Sequence, residues 1–173
     1  MDGDTIRFEA MVRAFSAELY RYAYWLCGHR AQAEDLVQET FTRAWRALGS
    51  LADDRAARRW LYTILRREWA RQFEKPEPEL TDLDGLHYPA PVDLDTRIEA
   101  VLLRSALERL PAAYRDPLVL QVLGGFTGEE IGEILGVSAN TVMTRVFRAR
   151  KKLRDLLVGE RTGGRKEGMH GLP

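Results

Sequence analysis

Apolar residues recur at three- and four-residue spacing along most of the chain, and no long alternating run of β-branched residues interrupts that rhythm. Between Ile6 and Cys27, the residues Phe8, Met11, Val12, Phe15, Leu19, Tyr22 and Leu26 fall on one helical stripe, and Gly28 can close the helix. A second helix is predicted from Ala31 to Leu48, burying Leu36, Val37, Phe41, Ala44, Trp45 and Leu48, with Gly49-Ser50 ending it. A third is predicted from about Arg55 to Glu74, stopping before Pro76. Its wheel turns Leu61, Ile64, Leu65 and Trp69 one way, and Arg59, Thr63, Arg66, Arg67 and Ala70 the other, with Trp60 at the edge.

Periodicity then fails. Residues 75–93 hold Pro76, Pro78, Pro89, Pro91, Gly85 and many acids, the composition of a linker. Some twenty extended residues reach at most ~65 Å, nearly two turns of duplex DNA at about 34–36 Å each. The helical rhythm resumes at a capping box, Thr96-x-x-Glu99, ahead of Ile98, Val101, Leu102, Leu103 and Leu107. Pro111 breaks the chain, a helix follows over roughly Ala112 to Leu123, and Gly124-Gly125 turns it. The prediction is an all-α protein of two small helical domains. They would cover residues 1–75 and 96–158, with a flexible acidic Pro-containing linker at 76–95 and a mobile Gly-rich tail at 159–173.

Thr127 to Leu153 is the most informative stretch. Thr127-x-x-Glu130 is a capping box that opens a short helix through Ile131, Ile134 and Leu135. Gly136 stands where the chain must turn sharply, Val137 plugs the angle, and Ser138 can cap a longer helix from Ala139 to about Leu157. Short helix, glycine turn and longer helix make a helix-turn-helix, whose second helix fits a major groove. On that helix Val142, Val146, Ala149 and Leu153 form a narrow apolar stripe. The opposite face carries Asn140, Thr141, Thr144, Phe147, Arg148 and Lys151, flanked by Arg145. A base-reading face has uses for these residue types: Arg pairs with guanine, Asn with adenine, and an aromatic meets the thymine methyl. The alternative is that Phe147 packs on a neighbouring helix.

Charge sharpens this picture only through its distribution, since 26 basic and 26 acidic residues cancel. Arg55 to Lys75 carries seven basic residues against Glu68 and Glu74, and Thr141 to Leu156 carries six against Asp155. Pro76 to Ala100 holds seven acids against Arg97. Two cationic segments around an acidic one suggest two polyanion contacts, or else two solvated helix faces. A single Cys excludes a disulfide framework, and Cys27 with His29 lacks a third nearby ligand, so neither a metal nor another cofactor is expected. No Ser-His-Asp set or Gly-rich phosphate loop supports an enzyme. No apolar run is long enough for membrane insertion, and no export signal opens the chain, which makes the cytoplasm the expected compartment.

Specific residues carry a family resemblance. Ala33-Glu-Asp-Leu-Val-Gln-Glu-Thr-Phe41 with Arg43-Ala-Trp45 resembles the core-polymerase-binding helix of bacterial sigma factors. Trp60-Leu-Tyr-Thr-Ile-Leu-Arg66 is similar to the promoter-melting helix that follows it. Leu107-Glu-Arg-Leu-Pro111 and Thr127 to Arg150 resemble the carboxy-terminal sigma domain. The two-domain layout over residues 6–157 is similar to the extracytoplasmic-function (ECF) group of the sigma-70 superfamily.

That resemblance implies roles by position. Asp35, Gln38, Glu39 and Arg43 would dock on the β′ clamp helices of core RNA polymerase, whose β flap is a further expected contact. Arg59, Trp60, Thr63, Arg66 and Arg67 would face the −10 element, Trp60 either stacking on a base or capping the core. The loop Gly49–Asp54 would hold a flipped-out base, with Asp53 and Asp54 at its edge. Asn140, Thr141, Thr144, Arg145, Phe147, Arg148 and Lys151 would read the −35 element. The linker would pass through the polymerase toward the RNA exit path. An anti-sigma factor partner is expected, and the free protein is expected to be a monomer. Two other readings stay open at this point. One is a helix-turn-helix repressor or activator that works without core polymerase, although no dimerisation heptads are present. The other is an interaction module whose basic helices bind acidic partners.

Overall fold

The computed structural model describes residues 3–73 and 94–163, and the side chains of residues 3–72 and 101–159. Among the described residues all regular structure is helical: α1 (Gly3–Cys27), α2 (Arg30–Arg46), α3 (Ala57–Phe73), α4 (Leu94–Glu108), α5 (Ala112–Gly124), α6 (Gly128–Leu135) and α7 (Ala139–Gly163), plus 3₁₀ turns at Leu48–Ser50 and Asp54–Ala56. The chain divides into two compact units, one built on α1–α3 and the other on α4, α5 and α7. Of the expected linker, all but its last two residues, Leu94 and Asp95, lies outside the described residues. Those two begin α4, so that helix starts ahead of the predicted Thr96 cap, whose side chain lies outside the described residues.

In the first unit, α1, α2 and α3 pack against one another. Gly28, at φ 72°, closes α1 as predicted, its N–H donating to the Tyr24 carbonyl at 2.9 Å. Leu19, Tyr22, Leu36, Leu61 and Leu65 are fully buried, each contributing about 1.5–3 kcal/mol if its exposed alternative is water. Tyr22 and Tyr62 stack in tilted geometry with ring centres 5.1 Å apart. A further apolar cluster joins Met11, Leu48, Leu51 and Ala57, with Phe8, Phe15 and Trp60 packed against it.

Two burial expectations on α2 change. Trp45, predicted to be buried, is 45% exposed. Phe8 meets its indole edge-on with ring centres 5.1 Å apart, and Trp45 stands at the last turn of α2 with little helix beyond it to cover the ring. Thr40, a polar residue absent from the predicted core, is fully buried, and its hydroxyl donates to the Leu36 carbonyl at 2.7 Å. That bond satisfies the hydroxyl locally, so the residue can replace an apolar one at little cost.

In the second unit, α7 packs against α4 and α5. Ala106, Leu110, Leu118, Val119, Leu120 and Phe126 are buried with Val142, Val146 and Ala149 of α7. The last helix runs through Gly163, past its predicted end near Leu157 and into the segment expected to be a mobile tail. Leu156 and Leu157 are half-buried, so part of the apolar stripe continues past Leu153 and favours continued helix. The remainder of the expected tail lies outside the described residues.

Candidate nucleic-acid interface

The helix-turn-helix is assembled by local chemistry. Thr127 Oγ1 accepts from the Glu130 N–H at 3.3 Å, and Glu130 Oε2 accepts from the Thr127 N–H at 2.8 Å. This reciprocal cap satisfies two amides that α6 cannot use itself. Gly136 then takes φ 70°, a left-handed conformation that costs a side-chain-bearing residue energy and turns the chain between α6 and α7. Ser138 Oγ accepts from the Thr141 N–H at 3.1 Å and shares a 2.8 Å hydrogen bond with the Thr141 hydroxyl. The start of α7 is thereby fixed by its own sequence.

On α7 the buried stripe holds Val142, Val146 and Ala149, with Leu153 half-buried. Asn140, Thr144, Phe147, Arg148 and Lys151 are exposed, while Thr141 and Arg145 are half-buried. Phe147 is 72% exposed, which rules out packing on a neighbouring helix of its own unit. Asn140, Thr141, Thr144, Arg145 and Arg148 line an open groove of about 500 Å³ together with Ala113 and Tyr114 of α5. Phe147 and Lys151 are not among those lining residues. Tyr114 was not among the predicted site residues. It lies 26 positions before Asn140, and helical periodicity carries no information across that distance.

The first unit presents two charged faces. On α2, Asp35 and Gln38 are exposed. Glu39 and Arg43 are half-buried and occupied with each other: Arg43 Nε lies 2.8 Å from Glu39 Oε1 and 2.7 Å from Glu68 Oε1. Glu68, on α3, is itself buried and also meets Arg71 Nη2 at 2.7 Å. A four-residue ion cluster therefore ties α2 to α3, built from two of the predicted docking residues and two residues that the wheel left unassigned.

On α3, Arg67 is exposed, and Arg59, Thr63, Arg66 and Ala70 are half-buried. The Thr63 hydroxyl donates to the Arg59 carbonyl at 2.9 Å. Trp60 packs on the Met11–Leu48–Leu51–Ala57 cluster, the core-capping alternative of the two predicted for it. In the loop before α3 both aspartates carry arginine partners. The Asp53 carboxylate accepts from the Arg55 N–H at 2.9 Å and from its guanidinium, which holds that carboxyl below its usual range. Asp54 pairs with Arg7 Nε at 2.6 Å, and Arg7 Nη2 also donates to the Leu51 carbonyl at 2.7 Å. Both aspartates, so partnered, are exposed.

Cys27 is buried, and burial pushes its thiol up to about 12. A thiol held protonated is a poor nucleophile and a poor metal ligand. No helix among the described residues is long and apolar enough to cross a membrane.

Comparison with known proteins gives this geometry its family. The Sigma-70 region 2 family matches residues 11–77, and the Sigma-70, region 4 family matches residues 100–153. The chain is 34% identical over 142 residues to the ECF RNA polymerase sigma factor EcfG of Rhodopseudomonas palustris, covering 80% of this chain and 78% of that one. It is 34% identical over 157 residues to the ECF RNA polymerase sigma factor SigL of Mycobacterium tuberculosis, covering 84% and 88%. Among solved structures, the sigma factor RpoE in complex with the anti-sigma factor NepR from Bartonella quintana superposes with a TM-score of 0.70 at 29% identity, covering 87% of this chain and 96% of that one. Both family matches fall in the order that the helices dictate, and the likeness spans most of each relative, so this chain belongs to the ECF sigma factors, proteins that bind RNA polymerase core and direct it to promoters.

Proposed function

We propose that the two units divide the promoter between them. The α1–α3 unit docks on the β′ clamp helices through α2 and meets the −10 element through α3. The helix-turn-helix unit rests near the β flap and reads the −35 element with α7. The observation that carries this reading is the α7 surface. It holds an Asn, two Thr, two Arg, a Lys and an aromatic that is 72% exposed, set opposite a stripe of buried Val and Ala. An exposed aromatic set among Asn, Thr and Arg side chains suits a base-reading face, where it can meet a thymine methyl.

On α2 the ion cluster sorts the docking residues. Asp35 and Gln38 are exposed and available to a partner, while Glu39 and Arg43 serve the joint with α3 and shape the surface around them. On α3, Arg67 offers an exposed charge to backbone phosphates, with Arg59, Thr63 and Arg66 beside it. Trp60 supports the helix from the core side. The chain acts by binding alone, with the polymerase supplying the chemistry. It works in the cytoplasm, where polymerase and promoters are, and is a monomer when free. An anti-sigma factor is its expected regulator, covering the polymerase-binding surfaces as NepR accompanies the Bartonella relative.

Run-off transcription with purified host core on a promoter library tests this reading. The chain should support initiation only with core present, and only at templates carrying a matched pair of elements. Asp35→Ala with Gln38→Ala should weaken core binding while leaving the fold intact. Core affinity unchanged in that double variant would defeat the docking assignment. Activity without core would defeat the whole reading.

A further inference from the structure

We propose that Tyr114 of α5 is a DNA-backbone contact of the −35-reading surface, its phenol hydroxyl donating to a phosphate oxygen at the groove edge. The inference rests on the reading that α7 enters the major groove, and it adds a residue that helical periodicity did not find. The open groove beside the recognition helix has two walls. One is the face of α7 that carries Asn140, Thr141, Thr144, Arg145 and Arg148, and the other is Ala113 with Tyr114.

Size decides what the second wall meets. The major groove is about 12 Å wide, and a helix with its side chains is about 10–12 Å across. Once α7 occupies that width, a helix packed against it cannot follow and must lie along the sugar–phosphate edge. The first turns of α5 are in that position, because α5 packs on α7 and shares the groove with its reading face. Ala113 offers only a methyl group there. Tyr114 offers a hydroxyl donor, and tyrosine hydroxyls are regular donors to phosphate oxygens.

The ring is also held in place. Lys152 Nζ lies 5.8 Å from the Tyr114 ring centre, within cation–π range, and the backbone N–H of Tyr114 donates to the Pro111 carbonyl at 2.9 Å. Tyr114 is half-buried, so little rotamer freedom remains to be lost on binding. Lys152 is exposed and sets a positive charge beside the same edge, which favours an anion there.

The test uses holoenzyme reconstituted from core polymerase and the full chain, with Tyr114→Phe as the variant. Phe keeps the ring against Lys152 and removes only the hydroxyl. Affinity for promoter fragments carrying a −35 element should fall about 10-fold or more, the scale of one lost hydrogen bond to a charged acceptor. The loss should be the same on the best −35 sequence and on base-substituted ones, because a phosphate contact carries no sequence information. A series of duplexes, each with one neutral methylphosphonate, should include one position at which wild type and variant bind equally. Unchanged affinity in Tyr114→Phe overturns the proposal, and so does a loss that varies with base identity while no single phosphate erases it. Arg148→Ala, measured in parallel, separates the two levels. If it weakens −35 binding and Tyr114→Phe does not, only the tyrosine contact is wrong. If neither variant has an effect, the entry of α7 into the groove is wrong as well.

Discussion

Arg43 Nε on α2 lies 2.7 Å from the buried carboxylate of Glu68 on α3, so the helix proposed to meet polymerase is locked to the helix proposed to meet the −10 element by an ion pair. Glu68 is 6% exposed, while Arg43 and Arg71, its two partners, are 39% and 57% exposed. The asymmetry sets what each substitution does. Removing Glu68 leaves two cations that water can still reach. Removing Arg43 leaves a buried carboxylate with Arg71 alone.

Glu68→Ala should therefore destabilise the protein by about 1–3 kcal/mol, less than the ~3–5 kcal/mol of a fully buried broken pair. Arg43→Ala should cost more than Glu68→Ala, because it leaves the buried carboxylate with Arg71 alone, and the double variant should cost clearly less than the two singles added, because both remove the same contact. Urea denaturation of the four proteins measures this. Additive costs would show that the 2.7 Å contact contributes little.

Phe147→Ala separates function from stability. A side chain that is 72% exposed contributes little to the core, so the unfolding free energy should change by less than about 0.5 kcal/mol. Binding of holoenzyme to −35 DNA should nonetheless weaken, as should binding with Arg148→Ala, by about 1–3 kcal/mol if each meets a base. A Phe147→Ala variant that melts early would place this ring in the fold rather than on DNA.

Gly124→Ala tests the packing at the end of α5. A Cβ there would stand 2.5 Å from Cδ2 of Phe126, and that ring is buried and would have to shift. Overpacking of this kind costs about 1–3 kcal/mol. Gly136→Ala meets no steric neighbour, but its φ of 70° makes the substitution cost about 1 kcal/mol through backbone strain. Thermal melts of both variants should rank Gly124→Ala as the more damaging. The reverse order would mean that Phe126 repacks easily.

Alkaline pH should lower stability through two buried groups, Cys27 and Tyr62. Burial raises the Cys27 thiol from 9.0 to about 12, and burial, reinforced by nearby Glu18, raises the Tyr62 phenol from 10.0 to about 12. Between those values the unfolded chain has released protons that the folded chain keeps, so stability falls as pH rises. Denaturation midpoints should hold steady up to about pH 9 and decline above it. Cys27→Ala should make the onset of that decline shallower. A wild-type curve that stays flat to pH 11 would contradict the burial of both groups.

Asp54→Asn should change stability by less than about 1 kcal/mol, since Asp54 is 68% exposed and its pair with Arg7 is screened. Arg7→Ala should cost more than Asp54→Asn, because Arg7 also holds the Leu51 carbonyl. Denaturation of both variants checks the order, and equal effects would mean that the backbone contact is idle.

The chain announced in its own letters whatever is settled within one or two helical turns. Both caps of the helix-turn-helix, Thr127 with Glu130 and Ser138 with Thr141, formed as their spacing requires. The buried Val142–Val146–Ala149 stripe did too, because residues three and four apart share a helix face whatever surrounds them. A wheel gives the direction of a side chain but not what covers it, and that is what tertiary packing decided. Trp45 meets Phe8 yet stays half in solvent, at the last turn of its helix. Asp54 is taken up by Arg7, 47 residues earlier. Glu68 sits on a charged helix yet is buried, because Arg43 of a different helix comes to meet it. Tyr114 joins the groove of α7 only because α5 packs there. In each case the partner is distant in sequence, and local periodicity cannot choose among distant partners.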